Sequence, residues 1–367
     1  MSAGTGMKLS YLCSAAYDGP GPGLGVWPAP PANCDRETAQ RSMAQALDNA
    51  RLAEAVGFDW ISVSEHHYSP IMLTPNPIVF AGALSQVTRT AKIAVLGPLI
   101  PINNPVRIAE ELAMLDCLTG GRIVVLFLRG TPNEQKTYAD TSERSRAMTQ
   151  EGIDLILKAW TTDESFAWKG EEYQFEHVAP WPRTAQVPHP VVFGSGNSEE
   201  SVIFAAQRRL SIGMSFAPSP VVKKWVELYR TECDKAGWKP TPDHVLYRHI
   251  AHIAASDAEA AEQMQEAGAA RARRAGRERA SAGHEPAGGA SGQPGAGREM
   301  GGPAQARPSF FTPYFFGGPE TVIARAKELA DCGVGILDLA FGIPGADYQA
   351  QAIKTFGELA MPTLAKI

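Results

Sequence analysis

Glu65, His66 and His67 stand in a row at the end of the apolar stretch Phe58-Asp59-Trp60-Ile61-Ser62-Val63 and before the loop Tyr68-Ser69-Pro70. A carboxylate beside two imidazoles at a strand end suits proton transfer, because an imidazole changes charge near neutral pH. Successive side chains of an extended chain point to opposite faces. His66 and His67 should therefore face differently, one toward a cavity and the other onto a neighbour. Two histidines satisfying loop carbonyls is the ordinary structural alternative. A zinc reading fails on spacing, since H-E-x-x-H is absent and no third ligand follows. His249 and His252 are three apart in a segment that reads as a strand, where they face opposite sides. No metal is expected.

Two further groups of residues suit an anion. Arg129, in Leu128-Arg129-Gly130, ends an apolar run, and a guanidinium there can hold a phosphate with two parallel hydrogen bonds. Gly194-Ser195-Gly196-Asn197-Ser198 follows another apolar run and opens a helical pattern. Glycines admit close approach to backbone N–H groups, and a helix N-terminus favours negative charge. A salt bridge for Arg129 and a plain helix cap at Ser198 are the competing readings. Leu96-Gly97-Pro98 ends a third run, with Gly97 able to relieve a tight turn. Arg248, His249 and His67 are candidate substrate contacts.

These positions need elements to hold them. Runs of strand length recur at Met7–Cys13, Trp60–Ser64, Ala91–Leu99, Arg122–Leu128, Pro190–Phe193, Ser211–Phe216, Val245–Ala254 and Gly335–Phe341, with helical periodicity between them. Eight strands alternating with helices, and no G-x-G-x-x-G after the first, point to a (β/α)8 TIM barrel. In such a barrel the chemistry lies at the C-terminal strand ends, where Glu65, His66, His67 and Arg129 fall. Residues 1–6 read as a tail and 7–367 as one domain. Between strands seven and eight, residues 267–308 contain no Leu, Ile, Val, Phe, Trp or Tyr. That composition is expected to form a mobile insertion, with 257–279 continuing as helix.

Composition sets outer limits. The chain has 367 residues, 44% hydrophobic, with a net charge of -5. That charge gives no footprint for nucleic acid. No apolar run nears the ~20 residues that span a bilayer, so no membrane association is expected. The start lacks a charged-then-apolar leader. Five scattered cysteines without C-x-x-C favour reduced thiols and a cytoplasmic location.

Taken together, GFDWISVSEHHYSP, NPVRIAEELAMLDCLTGGRIVVLFLRG, VVFGSGNSEESVIFAA and the C-terminal GGPETVIARAKELADCGVGILDLAFG resemble the bacterial luciferase-like, flavin-dependent monooxygenases. The resemblance runs from Met7 to about Asp257 and from Phe316 to the end. It implies a barrel that binds reduced FMN, or in a sister branch a reduced deazaflavin, and that forms a homodimer. It also implies a C4a-hydroperoxyflavin formed with O2, which oxygenates a small organic substrate. On that resemblance His66 lies beside the flavin ring and assists the oxygen chemistry. Arg129 and the Gly194, Ser195, Gly196 and Ser198 segment hold the FMN phosphate, and Leu96–Gly97, a bond that is often cis in the family, lies against the ring. Gly194 departs from the luciferase pattern, which carries an acidic residue there. With no second nucleotide motif in the chain, reduced FMN is expected from a separate NAD(P)H:flavin reductase. A hydride-transferring deazaflavin enzyme and a non-catalytic flavin-binding barrel are the alternatives.

Overall fold

The strands at Trp60–Val63 and Lys92–Leu99 are buried along nearly their whole length, as expected of parallel strands covered on both faces. The computed structural model describes residues 6–19, 27–138, 141–281, 314–341 and 346–367. In chain order, its first half runs β1 (Lys8–Leu12), α1 (Arg36–Val56), β2 (Trp60–Val63), α2 (Pro77–Val87), β3 (Lys92–Leu99), α3 (Pro105–Thr119), β4 (Ile123–Leu128), α4 (Pro132–Thr137) and α5 (Ser142–Thr161). A hairpin of β5 (Phe166–Lys169) and β6 (Gln174–Val178) follows. The second half runs β7 (Val191–Ser195), α6 (Glu199–Gln207), β8 (Ser211–Ser215), α7 (Ser219–Lys235), β9 (Val245–Ile253), α8 (Asp257–Ser281), β10 (Phe315–Gly317), α9 (Pro319–Asp331), β11 (Ile336–Phe341), α10 (Ala346–Leu359) and α11 (Met361–Leu364).

Eight parallel strands pair in the order β1-β2-β3-β4-β7-β8-β9-β11, and β11 returns to β1. The ring is closed, as the TIM-barrel expectation requires. The short β10 lies parallel to β9 outside the ring.

Local chemistry fixes the element ends. Asp35, Asn76, Asn104 and Thr131 each cap a helix through the side-chain oxygen, and Gly57 and Gly120 stop α1 and α3 in the left-handed region. Strand five of the sequence reading begins one residue later and extends to Ser195. The hairpin and α4 were not foreseen, because segments of four to six residues carry little periodicity. The helix expected over 257–279 is α8; of the 267–308 segment, residues 282–308 lie outside the described residues.

Side chains divide by the period of two. Trp60, Ala94, Leu96, Val124, Leu126, Phe193, Leu246 and Ile336 form one buried cluster that plugs the barrel interior. The alternate positions pack outward against the helices. Above the plug lies a polar layer: Asp338 accepts from Ser10 and Ser62 hydroxyls, each at 2.6 Å, and pairs with Arg248 at 2.5 Å.

Candidate functional site

The loop after β2 is built on Glu65. Its buried carboxylate accepts the Leu99 N–H at 3.0 Å through Oε2, and Oε1 lies 3.0 Å from His67 Nε2. Ser64 donates to the Leu96 carbonyl at 2.8 Å, and Thr74 donates to the Ser64 carbonyl at 2.7 Å. These bonds tie the end of β2 to β3 and hold the two histidines apart. His67 is nearly enclosed, its Nδ1 3.4 Å from the Tyr138 hydroxyl. His66 is 39% exposed and has its Nδ1 3.8 Å from Glu134 Oε1. The two imidazoles face differently, as strand alternation predicts.

Arg129 directly follows β4, and the chain turns at Gly130 (φ +87) into α4. Thr131 and Glu134 form a reciprocal capping box there. Burial raises the Glu134 carboxyl, but His66 and the Thr131 hydroxyl and amide outweigh it and bring it down to about 2. The Arg129 guanidinium is pulled down by burial and then by the nearby charge of Arg146 on α5. Arg146 in turn pairs with Glu200, in the first turn of α6. His66, Glu134, Arg129, Arg146 and the N-terminus of α6 thus follow one another around the C-terminal rim of β2, β4 and β7.

The segment before α6 is used partly for packing. Ser198 caps α6 and donates to the Ser201 hydroxyl at 2.9 Å. The Gly196 N–H donates to the Gly213 carbonyl at 2.8 Å, and a Cβ at Gly196 would lie 2.8 Å from Met214. A Cβ at Gly194 would meet Ala205 at 3.4 Å. Both glycines bring β7 against β8 and α6. Ser195 accepts from the Asn197 N–H at 3.4 Å.

Among the described residues every cis peptide bond precedes a proline, so Leu96–Gly97 is trans, and Gly97 relieves the turn at φ +129. Leu96 belongs to the interior plug. Arg248 points inward, bonded to Asp338 and Ser64, while its Nη2 is buried without a hydrogen-bond partner. His249 points the other way, packed among Phe216, Tyr247, Tyr314 and Phe315, and does not reach the barrel interior. A cavity of about 220 Å³ opens beside the loop after β1, lined by Tyr17, Thr38, Arg41, Gln45 and Gln349; no predicted site residue lines it. Among the described residues no cluster of three or more metal-ligating side chains occurs. Sequence reasoning missed Arg146, Glu134 and Tyr138. The Thr-x-x-Glu capping box at 131–134 signals Glu134, whereas nothing local marks Arg146 or Tyr138.

The family model for luciferase-like monooxygenases matches residues 24–335. The chain belongs to that family. Among characterised relatives, this luciferase-like protein is 23% identical over 231 residues to the oxygenase component of flavin-dependent trigonelline monooxygenase from Acinetobacter baylyi, covering 62% of this chain and 63% of that one. It is 26% identical over 191 residues to the alkanal monooxygenase beta chain of Vibrio harveyi, covering 52% and 56%. The matches span roughly three fifths of these curated relatives. Among solved structures, monooxygenase RslO1 from Streptomyces bottropensis superposes with a TM-score of 0.75 at 24% identity, covering 97% of this chain and 99% of that one. The oxygenating constituent of 3,6-diketocamphane monooxygenase from Pseudomonas putida, in complex with FMN, gives 0.71 at 19% identity, covering 98% and 99%. An F420-dependent secondary alcohol dehydrogenase gives 0.69 at 16%, covering 99% and 100%. At these identities the structures establish the shared barrel. Among the described residues no helix is long and apolar enough to cross a membrane.

Proposed function

We propose that this chain is a flavin-dependent monooxygenase that uses reduced FMN and O2 to oxygenate a small organic substrate. The observation that carries the reading is that Arg129 feels the charge of Arg146, which the Glu200 ion pair places beside the N-terminus of α6, on the same rim as His66. A partly buried guanidinium with a second guanidinium nearby favours an anion beside it, and a phosphate supplies the required charge and acceptors. Glu200 holds Arg146 in place until that anion arrives. Ser195 and Ser198 lie at the same helix terminus and can add hydroxyl or amide donors to a phosphate. Gly194 and Gly196 act by allowing the close packing that sets this terminus.

A bound reduced flavin would supply the electrons that place one oxygen atom in the substrate and the other in water. The protein's part is to hold the ring under His66 and keep bulk water out. Leu96 and Gly97 form the floor on the β3 side. Arg248 stays held by Asp338 and Ser64 beside this space, with its Nη2 buried. His249 is assigned no chemistry.

The relative named as an oxygenase component supports a separate NAD(P)H:flavin reductase as the electron source. Val79 on α2 and Met114 and Leu118 on α3 are exposed apolar side chains on neighbouring helices, which supports a homodimer through this face. All five cysteines are free thiols, which fits the reducing cytoplasm. The structural likeness to an F420-dependent dehydrogenase keeps a deazaflavin hydride-transfer enzyme as the second reading.

The deciding experiment is anaerobic titration with reduced FMN and with reduced deazaflavin, followed by an oxygen pulse. Tight FMN binding with oxygen consumption supports the monooxygenase. Binding of the deazaflavin alone, with no oxygen uptake, replaces it with the second reading. FMN binding without turnover identifies a carrier.

A further inference from the structure

The mechanism proposed above uses His66 and leaves His67 unexplained, although His67 is the better-built of the two. Its Nε2 faces Glu65 at 3.0 Å, and Glu65 is itself fixed by the Leu99 N–H. A carboxylate accepts hydrogen bonds only, so this contact puts the imidazole proton on Nε2 and leaves a lone pair on Nδ1. Nδ1 faces the Tyr138 hydroxyl at 3.4 Å as an acceptor, and the Tyr68 side chain is a second hydrogen-bond partner of that hydroxyl. The backbone of His67 is also tethered, its carbonyl accepting the Trp27 indole N–H at 3.1 Å. Carboxylate, imidazole and hydroxyl stand in the order that lets a neutral imidazole accept a proton while the carboxylate stabilises the resulting cation.

The outer end of this series is open. Tyr138 is 43% and Tyr68 48% exposed. The rings of Tyr138 and Tyr68 lie 5.5 and 6.0 Å from that of His67, and Trp27 lies 6.1 Å from Tyr68. A run of partly exposed aromatic side chains beside His67 suits a flat ring, and a hydroxyl backed by a base suits a ligand with an acidic O–H. Burial first, then Tyr68, Glu65 and Glu134, hold the Tyr138 phenol above its ordinary value. Its own proton therefore leaves only in concert with another arriving.

We propose that Tyr138, His67 and Glu65 form a proton-accepting relay, separate from His66, for a hydroxylated aromatic substrate. The substrate O–H bond breaks and its proton passes to Tyr138 Oη. The Tyr138 proton passes to His67 Nδ1, while the other proton stays on Nε2 and is donated to the Glu65 carboxylate, which stabilises the imidazolium formed. The substrate is left as a phenolate, electron-rich at the ring carbons that a flavin monooxygenase would oxygenate. Tyr138 touches the substrate; His67 and Glu65 are positioning residues. The inference depends on the monooxygenase reading for its purpose but not for its geometry.

The test uses the full chain without flavin and 4-nitrophenol as the probe, whose ionised form absorbs visible light. Bound to the wild type, the probe should ionise at least ~10-fold more readily than in solution, a shift of about one pH unit. Tyr138→Phe and His67→Gln should each abolish that shift. Nitrogen NMR of the wild-type imidazoles should show the His67 proton on Nε2, with the Nδ1 signal moving in Tyr138→Phe. Absence of binding at millimolar probe, a shift that survives both substitutions, or a proton on Nδ1 would each overturn the relay. Failure of the wild type to bind FMN would sink the flavin reading and leave the relay standing.

Discussion

His66 Nδ1 lies 3.8 Å from Glu134 Oε1, and that carboxyl also caps α4 through the Thr131 N–H at 2.9 Å. One side chain therefore links the first histidine of the motif to the turn that carries Arg129. The Glu134 carboxyl titrates at about 2 in the fold, below the 4.5 of an unperturbed group. Because the folded value is the lower one, the stabilisation is complete above pH ~4.5 and is lost as pH falls through about 2. Glu134→Gln retains a capping amide but removes the charge. It should destabilise the protein by up to about 3 kcal/mol at neutral pH, with the difference fading toward pH ~2. Paired thermal melts across that range check this; a difference that does not change with pH would contradict it.

Loss of either guanidinium should weaken FMN binding. Arg129→Ala is expected to cost roughly 1.5–3 kcal/mol, the range for a charge-assisted hydrogen bond. Arg146→Ala should also weaken it, and high salt should narrow the gap between each variant and the wild type. Flavin fluorescence titration measures both. Unchanged affinity in Arg129→Ala removes the phosphate assignment.

Much of this arrangement was legible in the chain. The barrel followed from eight apolar runs, and His66, His67 and Arg129 were placed at strand ends because periodicity locates those ends to within a residue or two. Arg146 was not legible, since it enters the site from an otherwise ordinary amphipathic helix and only the fold brings it beside Arg129. The two glycines of the 194–198 segment read as backbone for a ligand, and the fold gives them a packing reason as well, since a Cβ at either would meet Ala205 or Met214. Sequence shows that a glycine is needed but not which neighbour requires it. His249 was misdirected for a related reason: strand alternation says that Arg248 and His249 part, but not which of them turns inward.

Asp338 pairs with Arg248 at the same level of neighbouring strands, inside the barrel. Asp338→Ala should cost roughly 3–5 kcal/mol, because it leaves a buried cation uncompensated. Replacing the pair together, as Asp338→Leu with Arg248→Met, should restore part of that loss. Urea unfolding of the single and double variants reads the difference; equal stability of both would argue against the pair as the cause.

Gly97 holds φ +129, and a side chain there would place its Cβ 3.1 Å from Leu128 Cδ1 and 3.7 Å from the Glu65 N. Gly97→Ala should therefore destabilise by more than ~1 kcal/mol and disturb the Glu65 loop. Chemical denaturation gives the first quantity, and the His67 imidazole signals report the second.

The hydrogen bonds of Asp338 also bear on how the chain reaches this fold. Its partners sit near the amino end, at Ser10 and Ser62, and late in the chain, at Arg248. A nascent polypeptide that has not yet emerged past position 338 holds Arg248 with no counter-charge in its would-be interior. Docking of β11 supplies that counter-charge and joins the two ends of the sheet in the same event. One carboxylate thus couples closing of the circle to neutralising the cation that closure takes out of water.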